Sequence, residues 1–212
     1  MSVTDQDLLT ALQFHLLEPV DAGASWPSQL WTVAEVIAAL NETQAALQKD
    51  LSLLFSRATL LTVPNTVRHA LPADWIATER VSWRTPSRAT PLSRTDSVAA
   101  DSALSGWDYL HPLTPPRGYT DGETPTLQIG VFPASSDLGV LDLLYVALPA
   151  SLSNTGLACT LPDEFTPALL WGTLATLLAK PGRAYDPTRA AYCHDRVQET
   201  LAAAQLWREV WR

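Results

Sequence analysis

The stretch Trp31-Thr32-Val33-Ala34-Glu35-Val36 predicts the start of a helix. Thr32 and Glu35 have the spacing of a capping box, in which each side chain bonds the backbone N–H of the other residue. The apolar residues that flank this box are placed as a hydrophobic staple. Downstream, apolar residues recur at helical spacing, which predicts one long amphipathic helix over 33–57. The opposite, polar side of this helix carries Asn41, Glu42, Gln48 and Lys49.

Three further helices are predicted from apolar spacing and from their start and stop residues. Leucines at helical spacing indicate a first helix over 4–17. Thr166-Pro167 supplies a cap and a proline for an almost wholly apolar helix over 168–179, which we expect in the middle of the core. Asp186-Pro187 repeats this kind of start and predicts a last helix that runs to the end of the chain.

The region between these helices has the pattern of strands and turns. Its apolar residues fall in short runs bounded by Pro, Gly, Ser and Asp. Strands are predicted over 75–83, 126–132 and 140–148, a short helix over 92–103, and a rigid loop over 112–119. The turn residues between the last two strands predict an antiparallel hairpin. The predicted fold class is therefore α+β, a helical bundle with an inserted antiparallel β-strand/hairpin region.

The composition argues against several classes of protein. Fourteen Lys and Arg against 22 Asp and Glu give a formal charge of −8, which disfavours tight binding to nucleic acid or anionic lipid. Cys159 and Cys193 are too few for a disulfide framework. Residues 1–7 contain no Lys or Arg and predict no signal peptide. The longest apolar run, 168–179, is shorter than the roughly 20 residues of a membrane span, so we expect a soluble chain.

The residues predict no catalytic, cofactor or metal site. The histidines show no pair at i, i+4 spacing; they are His15, His69, His111 and His194. Cys193-His194-Asp195 are consecutive on a predicted helix, where side chains diverge by about 100°, so we expect Cys193 to be packed and His194 to be exposed. Asp163-Glu164 could act as an acid/base pair, but the position before a helix favours a role at its dipole.

The aromatic residues near the end of the chain predict an interface. The chain has eight tryptophans, and two of them lie beside arginines in the last predicted helix. Trp and Arg are enriched at interface hot spots. The candidate interface residues are Trp207, Arg208, Trp211 and Arg212. The alternative is that both indole rings fold back onto their own helical bundle.

Taken in order, the signals resemble the head-to-tail adaptor (connector, neck) proteins of tailed bacteriophages, and the resemblance spans most of the chain. The features that carry it are the long helix after Trp31, Leu71-Pro72-Ala73-Asp74 before the strand ending in Val81-Ser82-Trp83, Trp107 before the loop with Pro116 and Tyr119, Leu127-Gln128-Ile129 running into Phe132-Pro133, Leu141 to Tyr145 with Pro149, Leu161-Pro162-Asp163-Glu164, and Tyr185-Asp186-Pro187.

The resemblance implies a single adaptor domain over 1–212, with a helical core at 1–57 and 163–212 and a strand-rich insertion at 60–160. It implies a structural virion protein without cofactors that forms a ring of twelve copies on the portal protein. Its other partners would be tail, nozzle or tail-terminator proteins, and DNA would pass through without specific binding. The neck would assemble in the host cytoplasm and serve genome ejection, without membrane contact.

Two further functions stay open beside this one. The chain could be a tail or baseplate interaction protein without portal docking, or an enzyme whose site the sequence does not reveal.

A ring would need two different patches on each copy, because its interface is heterologous. Twelve copies at −8 each would carry −96, which favours a channel that repels DNA phosphates.

Overall fold

The computed structural model describes residues 3–16, 30–103, 116–121 and 127–210, and for residues 207–210 it describes the backbone only. The chain divides into two compact units. We call Met1–Leu54 with Pro149–Arg212 the helical unit, and Phe55–Leu148 the sheet unit. The helical unit is therefore built from both ends of the chain, and the grouping of both units into one adaptor domain stays a prediction.

The elements are numbered in chain order. The described part of the helical unit contains α1 (Asp5–His15), α2 (Val33–Leu51), a 3-10 turn (Asp163–Phe165), α4 (Thr166–Ala179) and α5 (Pro187–Val210). The described part of the sheet unit contains β1 (Phe55–Thr62), β2 (Arg68–Ala70), β3 (Trp75–Thr85), β4 (Arg88–Arg94), α3 (Ser97–Ala103), β5 (Gly118–Asp121), β6 (Gln128–Phe132) and β7 (Gly139–Ala147). Of the helices described, none has the length and apolar character needed to cross a membrane.

The first two helices each begin at a capping box, and the sequence predicts the one at α2. Thr32 Oγ1 accepts the N–H of Glu35 at 3.3 Å, while the Glu35 carboxylate accepts the N–H of Thr32 at 2.8 Å. Thr4 and Asp7 form the same reciprocal pair at the start of α1. Each box satisfies backbone donors that a helix N-terminus otherwise leaves unpaired, so the capping prediction at α2 is confirmed.

Helix α2 ends earlier than predicted. Its last residue is Leu51, because Ser52 takes the left-handed conformation at φ 51° and ψ 51°. Strand β1 begins at Phe55, so the residues up to 57 that the sequence assigned to the helix lie in an extended segment instead. A left-handed residue ends a helix because the next N–H groups no longer point along its axis.

The polar side of α2 also differs from the prediction, because Gln48 is buried, as is the nearby Gln44. Gln44 is 1% exposed and Gln48 is 0% exposed. Gln48 Oε1 accepts the N–H groups of Leu53 and Leu54 at 3.0 Å each, and its Nε2 donates to the Leu54 carbonyl at 3.0 Å. Gln44 donates to the Ala150 carbonyl at 2.7 Å. These side chains bond the backbone where the chain leaves and re-enters the helical unit.

Helix α4 lies in the middle of the helical unit, as its apolar composition predicts. It packs against α1, α2 and α5. Its start is displaced from the prediction, because Phe165 is the N-cap and Thr166 is already helical, without a side-chain cap. Gly172 allows close approach of α2, since a Cβ there would collide with Cγ2 of Thr43. Its buried residues are Ala168, Leu169, Thr173, Leu174, Leu177 and Leu178.

Helix α5 begins at the predicted cap and covers one side of α4. The Asp186 carboxylate accepts the N–H of Arg189 at 3.0 Å, which is the bond expected of an N-cap aspartate. The residues of α5 that pack on the helical core are Ala190, Cys193, Val197, Leu201 and Ala204.

The strands in the described ranges form one seven-stranded sheet in the order β1-β7-β3-β4-β5-β6-β2. Most neighbours are antiparallel, but β4 and β5 pair in parallel. The outermost strands, β1 and β2, also contact each other, so the sheet nearly closes on itself. The α+β class is confirmed, whereas a bundle with an antiparallel hairpin insert is too simple a description of a mixed sheet.

The predicted hairpin is wrong, although its strands exist. The runs predicted over 75–83, 126–132 and 140–148 overlap β3, β6 and β7, and residue 126 lies outside the described residues. However, β6 pairs with β5 and β2, whereas β7 pairs with β1 and β3. The connection between β6 and β7 is not a tight turn, because Ala134 and Ser135 are buried and Ser135 accepts the N–H of Asn65 at 2.8 Å.

Two shorter predictions also need correction. The helix predicted over 92–103 begins only at Ser97, because the residues up to Arg94 complete β4. The rigid loop predicted over 112–119 ends in β5, which starts at Gly118; its residues 112–115 lie outside the described residues. Strand β4 forms a tight hairpin with β3 and pairs in parallel with β5, and β5 pairs with β6.

The side chains of strand β7 alternate between the two faces of the sheet. Leu141, Leu143 and Tyr145 are buried in the core of the sheet unit, together with Trp83. Gly139 makes room for that indole, because a Cβ at this position would overlap the ring of Trp83. Since successive side chains of a strand alternate, the even-numbered residues 140–144 point to the opposite side.

Candidate interaction surfaces

Within the described part of the chain, the residues considered for reaction chemistry do not come together. Cys193 is buried and His194 is exposed, as predicted. Burial raises the pKa of both thiols, Cys159 and Cys193, so little reactive thiolate is present at neutral pH. Across the described ranges, no group of three or more His, Cys, Asp and Glu could hold a metal ion.

The remaining histidines occupy different environments. His69 is buried in the sheet unit, and this burial lowers its pKa, which favours the neutral imidazole. His15 lies at the end of α1, and His111 lies outside the described residues. The structure therefore brings none of the described histidines together as a ligand pair.

The Asp163-Glu164 pair lies in the 3-10 turn immediately before α4. Both residues are exposed, and the Asp163 carboxylate accepts the N–H of Val3 at 3.2 Å. This position places negative charge near the N-terminus of α4, which favours the dipole interpretation over acid/base catalysis.

The predicted interface at the end of α5 is described only in part. The candidate residues are Trp207, Arg208, Trp211 and Arg212. The first two belong to the last turn of α5, but their side chains lie outside the description, as do residues 211 and 212 altogether. Ala204 packs on the helical core, whereas Leu206 is 65% exposed. The interface role of the four residues stays a prediction.

A second surface of aromatic residues crosses three helices. Phe14 and His15 end α1, Trp171 lies on α4, and Tyr192 and Arg196 lie on α5. The ring centroids are 5.7 Å apart for Phe14 and His15, 5.2 Å for His15 and Trp171, and 6.0 Å for Trp171 and Tyr192. The Arg196 guanidinium carbon lies 5.0 Å from the Tyr192 centroid. We call these five residues the helical aromatic surface.

The helical aromatic surface is exposed at both ends, and polar contacts fix its Tyr192 end. Phe14 is 70% exposed and Tyr192 is 51% exposed. Arg196 donates to the Tyr192 hydroxyl at 3.0 Å and to the Glu199 carboxylate at 2.7 Å. Trp, Tyr and Arg are the residues most enriched at interface hot spots. Rings that already contact each other lose less freedom on binding, so this surface is suited to contact another protein.

Comparison with known proteins identifies the family. A family model described as SU10 adaptor protein matches residues 4–212. The chain belongs to the SU10 adaptor protein family. This membership confirms the resemblance to head-to-tail adaptors and places the chain in a class of structural virion proteins, which is not a class of enzymes.

The other comparisons add little to this assignment. A solved structure entitled "Neck of empty GTA particle computed with C6 symmetry" contains a chain 14% identical to this SU10 adaptor, with 93% of each chain covered and a TM-score of 0.27. A TM-score this low carries no argument about the fold. No curated protein matches the sequence.

The helical aromatic surface of this SU10 adaptor is not visible in the sequence, because its residues come from three separate helices. The local signal that could have indicated part of it is the i, i+4 spacing of Tyr192 and Arg196 on a predicted helix. The contacts of Trp171 with His15 and Tyr192 depend on how the helices pack. No local pattern in the sequence specifies that packing.

Proposed function

We propose that this SU10 adaptor forms a ring between the portal and the tail and leaves a channel through which DNA passes. The observation that carries the proposal is the adaptor-family match over residues 4–212. Two structural features support it. The candidate reactive groups that the structure describes do not converge, and the helical unit exposes an aromatic surface suited to protein contact.

The proposed ring contains twelve copies, each making one interface with the copy before it and a different one with the copy after it. Such heterologous contacts close into a ring only if the rotation between neighbouring copies is a full turn divided by the number of copies. The partners proposed above and below the ring are the portal protein and the tail, nozzle or tail-terminator proteins. The ring would assemble in the host cytoplasm and become the neck of the virion.

We assign the portal contact to the end of α5 together with the helical aromatic surface, which shares that helix. Ala204 is the last residue of α5 described as packing on the helical core. Removing the residues after Ala204 therefore deletes no described core contact. Buried aromatic anchors at interfaces each contribute about 2 kcal/mol or more, which corresponds to roughly 30-fold in affinity.

The acidic composition supports a channel with low affinity for DNA. Each copy has a formal charge of −8, and each Lys or Arg contact to phosphate would add salt-dependent affinity. The purified protein should therefore fail to retard duplex DNA in a gel at low salt. Tight binding under those conditions would contradict a non-binding channel.

The test uses the full-length protein and its cognate portal, with mass measurement and negative-stain electron microscopy. We expect rings on the portal with the native chain, and folded protein that fails to dock after truncation beyond Ala204 or in the double variant Phe14→Ser/Tyr192→Ser. Leu157→Ser is the matched control, because Leu157 is a 48% exposed apolar residue of the helical unit outside that surface.

The outcomes separate the candidate functions. Binding of the native chain to tail proteins but not to the portal would favour a tail or baseplate interaction protein. Docking by the truncated chain would exclude a role of the last turn of α5, and equal docking by the aromatic variant and its control would exclude the helical aromatic surface.

A further inference from the structure

The inference concerns the exposed side of strands β1, β7 and β3 in the sheet unit. In antiparallel strands, directly opposed side chains point to the same face of the sheet. The pairing registers give three rows across these strands. The rows are Arg57–Leu144–Arg80, Thr59–Asp142–Ser82 and Leu61–Val140–Arg84. We call these nine residues the outer face.

The outer face carries an excess of positive charge. Arg84 bonds the Asp142 carboxylate at 2.6 and 3.1 Å, which lowers the pKa of that carboxyl group. Arg57 and Arg80 are exposed and form no salt bridge with the described residues. Because both are opposite Leu144, their Cα atoms lie two strand spacings apart, about 10 Å. The face therefore presents two guanidinium groups free for an external carboxylate.

The other five residues of the outer face are uncharged, and three of them are aliphatic. Leu61 is 79% exposed, and Val140 and Leu144 are half-buried beside the arginines. An acidic residue on β3, Glu79, lies in the irregular step between Thr78 and Arg80 rather than in one of the rows. Arginine beside exposed aliphatic side chains is typical of protein interfaces, whereas nucleic-acid surfaces are dominated by Lys and Arg.

The acidic charge of the chain is concentrated in the other unit. The helical unit contains seven Lys and Arg against 13 Asp and Glu, a formal charge of −6. The sheet unit contains seven against nine, a formal charge of −2. Two copies of this chain therefore repel each other overall, and their association requires local pairing of unlike charges.

We propose that the outer face binds an acidic surface of a second copy of this chain, with Arg57 and Arg80 pairing its carboxylates. This assignment rests on the proposed ring, because it supplies one of the two unlike patches that each copy needs. The chain itself provides the complementary charge, since its Asp and Glu exceed its Lys and Arg by eight.

The test compares two double variants of the full-length chain that have the same total charge. Arg57→Glu/Arg80→Glu reverses the free cations of the outer face. Arg88→Glu/Arg183→Glu is the control, because both arginines are exposed and neither belongs to the outer face. Each double variant changes the formal charge from −8 to −12, so a difference between them cannot come from overall repulsion.

Sedimentation velocity over a concentration series measures self-association, and circular dichroism checks the fold. We expect the outer-face variant to associate about tenfold or more weakly than the native chain, and the control to change it by less than about threefold. Raising the salt concentration should weaken association of the native chain, because exposed charges are screened. Equal effects of both variants, or a native chain that stays monomeric throughout the series, would overturn the proposal.

Two further readouts separate this proposal from the adaptor function. Rings of normal appearance on the portal with Arg57→Glu/Arg80→Glu would leave the adaptor function intact and overturn the role of the outer face. Absence of portal rings with the native chain would count against the adaptor function, while sedimentation would still decide the role of the outer face. Retardation of duplex DNA that is lost only in the outer-face variant would assign the face to nucleic acid instead.

Discussion

The buried amide of Gln48 should stabilise the place where the chain leaves the helical unit. The perturbation is Gln48→Leu, which keeps similar volume but removes the bonds to the N–H groups of Leu53 and Leu54 and to the Leu54 carbonyl. A buried polar group left without a partner costs about 1–3 kcal/mol. Three backbone groups lose their partner in this variant, but Leu53 and Leu54 are half-buried, so water can bond some of these groups. We therefore expect the free energy of unfolding to fall by about 2–5 kcal/mol.

The assay combines thermal unfolding with amide hydrogen exchange. At roughly 2–4 °C per kcal/mol for a chain of this size, the melting temperature of the helical unit should fall by roughly 5–20 °C. Exchange at Leu53 and Leu54 should accelerate more than in the rest of the unit, because their N–H groups lose their acceptor. The control is Gln198→Leu, at an exposed position of α5, which should change stability by no more than about 0.5 kcal/mol.

A melting temperature within the range of the control would refute the reasoning, because it would mean that water or rearranged backbone groups replace the amide at no cost. Unchanged protection of Leu53 and Leu54 in a destabilised variant would also contradict it. In that case the loss would come from packing rather than from the hydrogen bonds.

Three further predictions concern the helical unit. Lys180 and the Thr32 backbone lower the pKa of Glu35 from 4.5 to about 2. The ionised Glu35 therefore stabilises the fold above pH 4.5, and this contribution is lost as the pH falls through about 2. The variant Glu35→Gln should flatten the pH dependence of the free energy of unfolding in this window. Gly172→Val should lower the free energy of unfolding by about 1–3 kcal/mol through its collision with Thr43, and adding Thr43→Ala should restore part of it. The Asp5 carboxylate accepts the N–H groups of Ser153, Thr155 and Gly156 at 3.3, 3.0 and 2.8 Å, so Asp5→Asn should cost about 1.5–3 kcal/mol and speed hydrogen exchange over 153–156.

Each of these predictions has an outcome that contradicts it. For Glu35, the contrary result is an unfolding curve with the same pH dependence in the glutamine variant. For Gly172, it is a double variant no more stable than Gly172→Val alone, measured by denaturant titration. For Asp5, it is native protection of 153–156 in the asparagine variant, which would mean that one carboxamide oxygen is enough to hold that segment.

The features that were predictable from the sequence depend on residues close together in the chain. The capping box of Thr32 and Glu35, the cap at Asp186 and the apolar helix α4 each use contacts within a few residues. The strands β3, β6 and β7 were predictable for the same reason, since alternation and turn residues are local. The adaptor resemblance depended on the order of such local signals along the chain.

The features that were not predictable depend on contacts between distant residues. Gln48 was placed on the polar side of α2 because its side chain is polar. The structure buries it, because backbone groups of the segment that follows α2 supply its hydrogen-bond partners. The predicted hairpin failed because β7 pairs with β1 and β3, which lie far away in the sequence, and not with the strand that precedes it.

By itself, therefore, the sequence determined the helices, several strands, the acidic charge and the likeness to adaptor proteins, because these follow from local spacing and composition. Only the tertiary structure decided the order and mixed pairing of the sheet, the three-helix aromatic surface and the arginine rows of the outer face. The physical reason is that a surface built from several elements depends on their register and packing, which long-range contacts select.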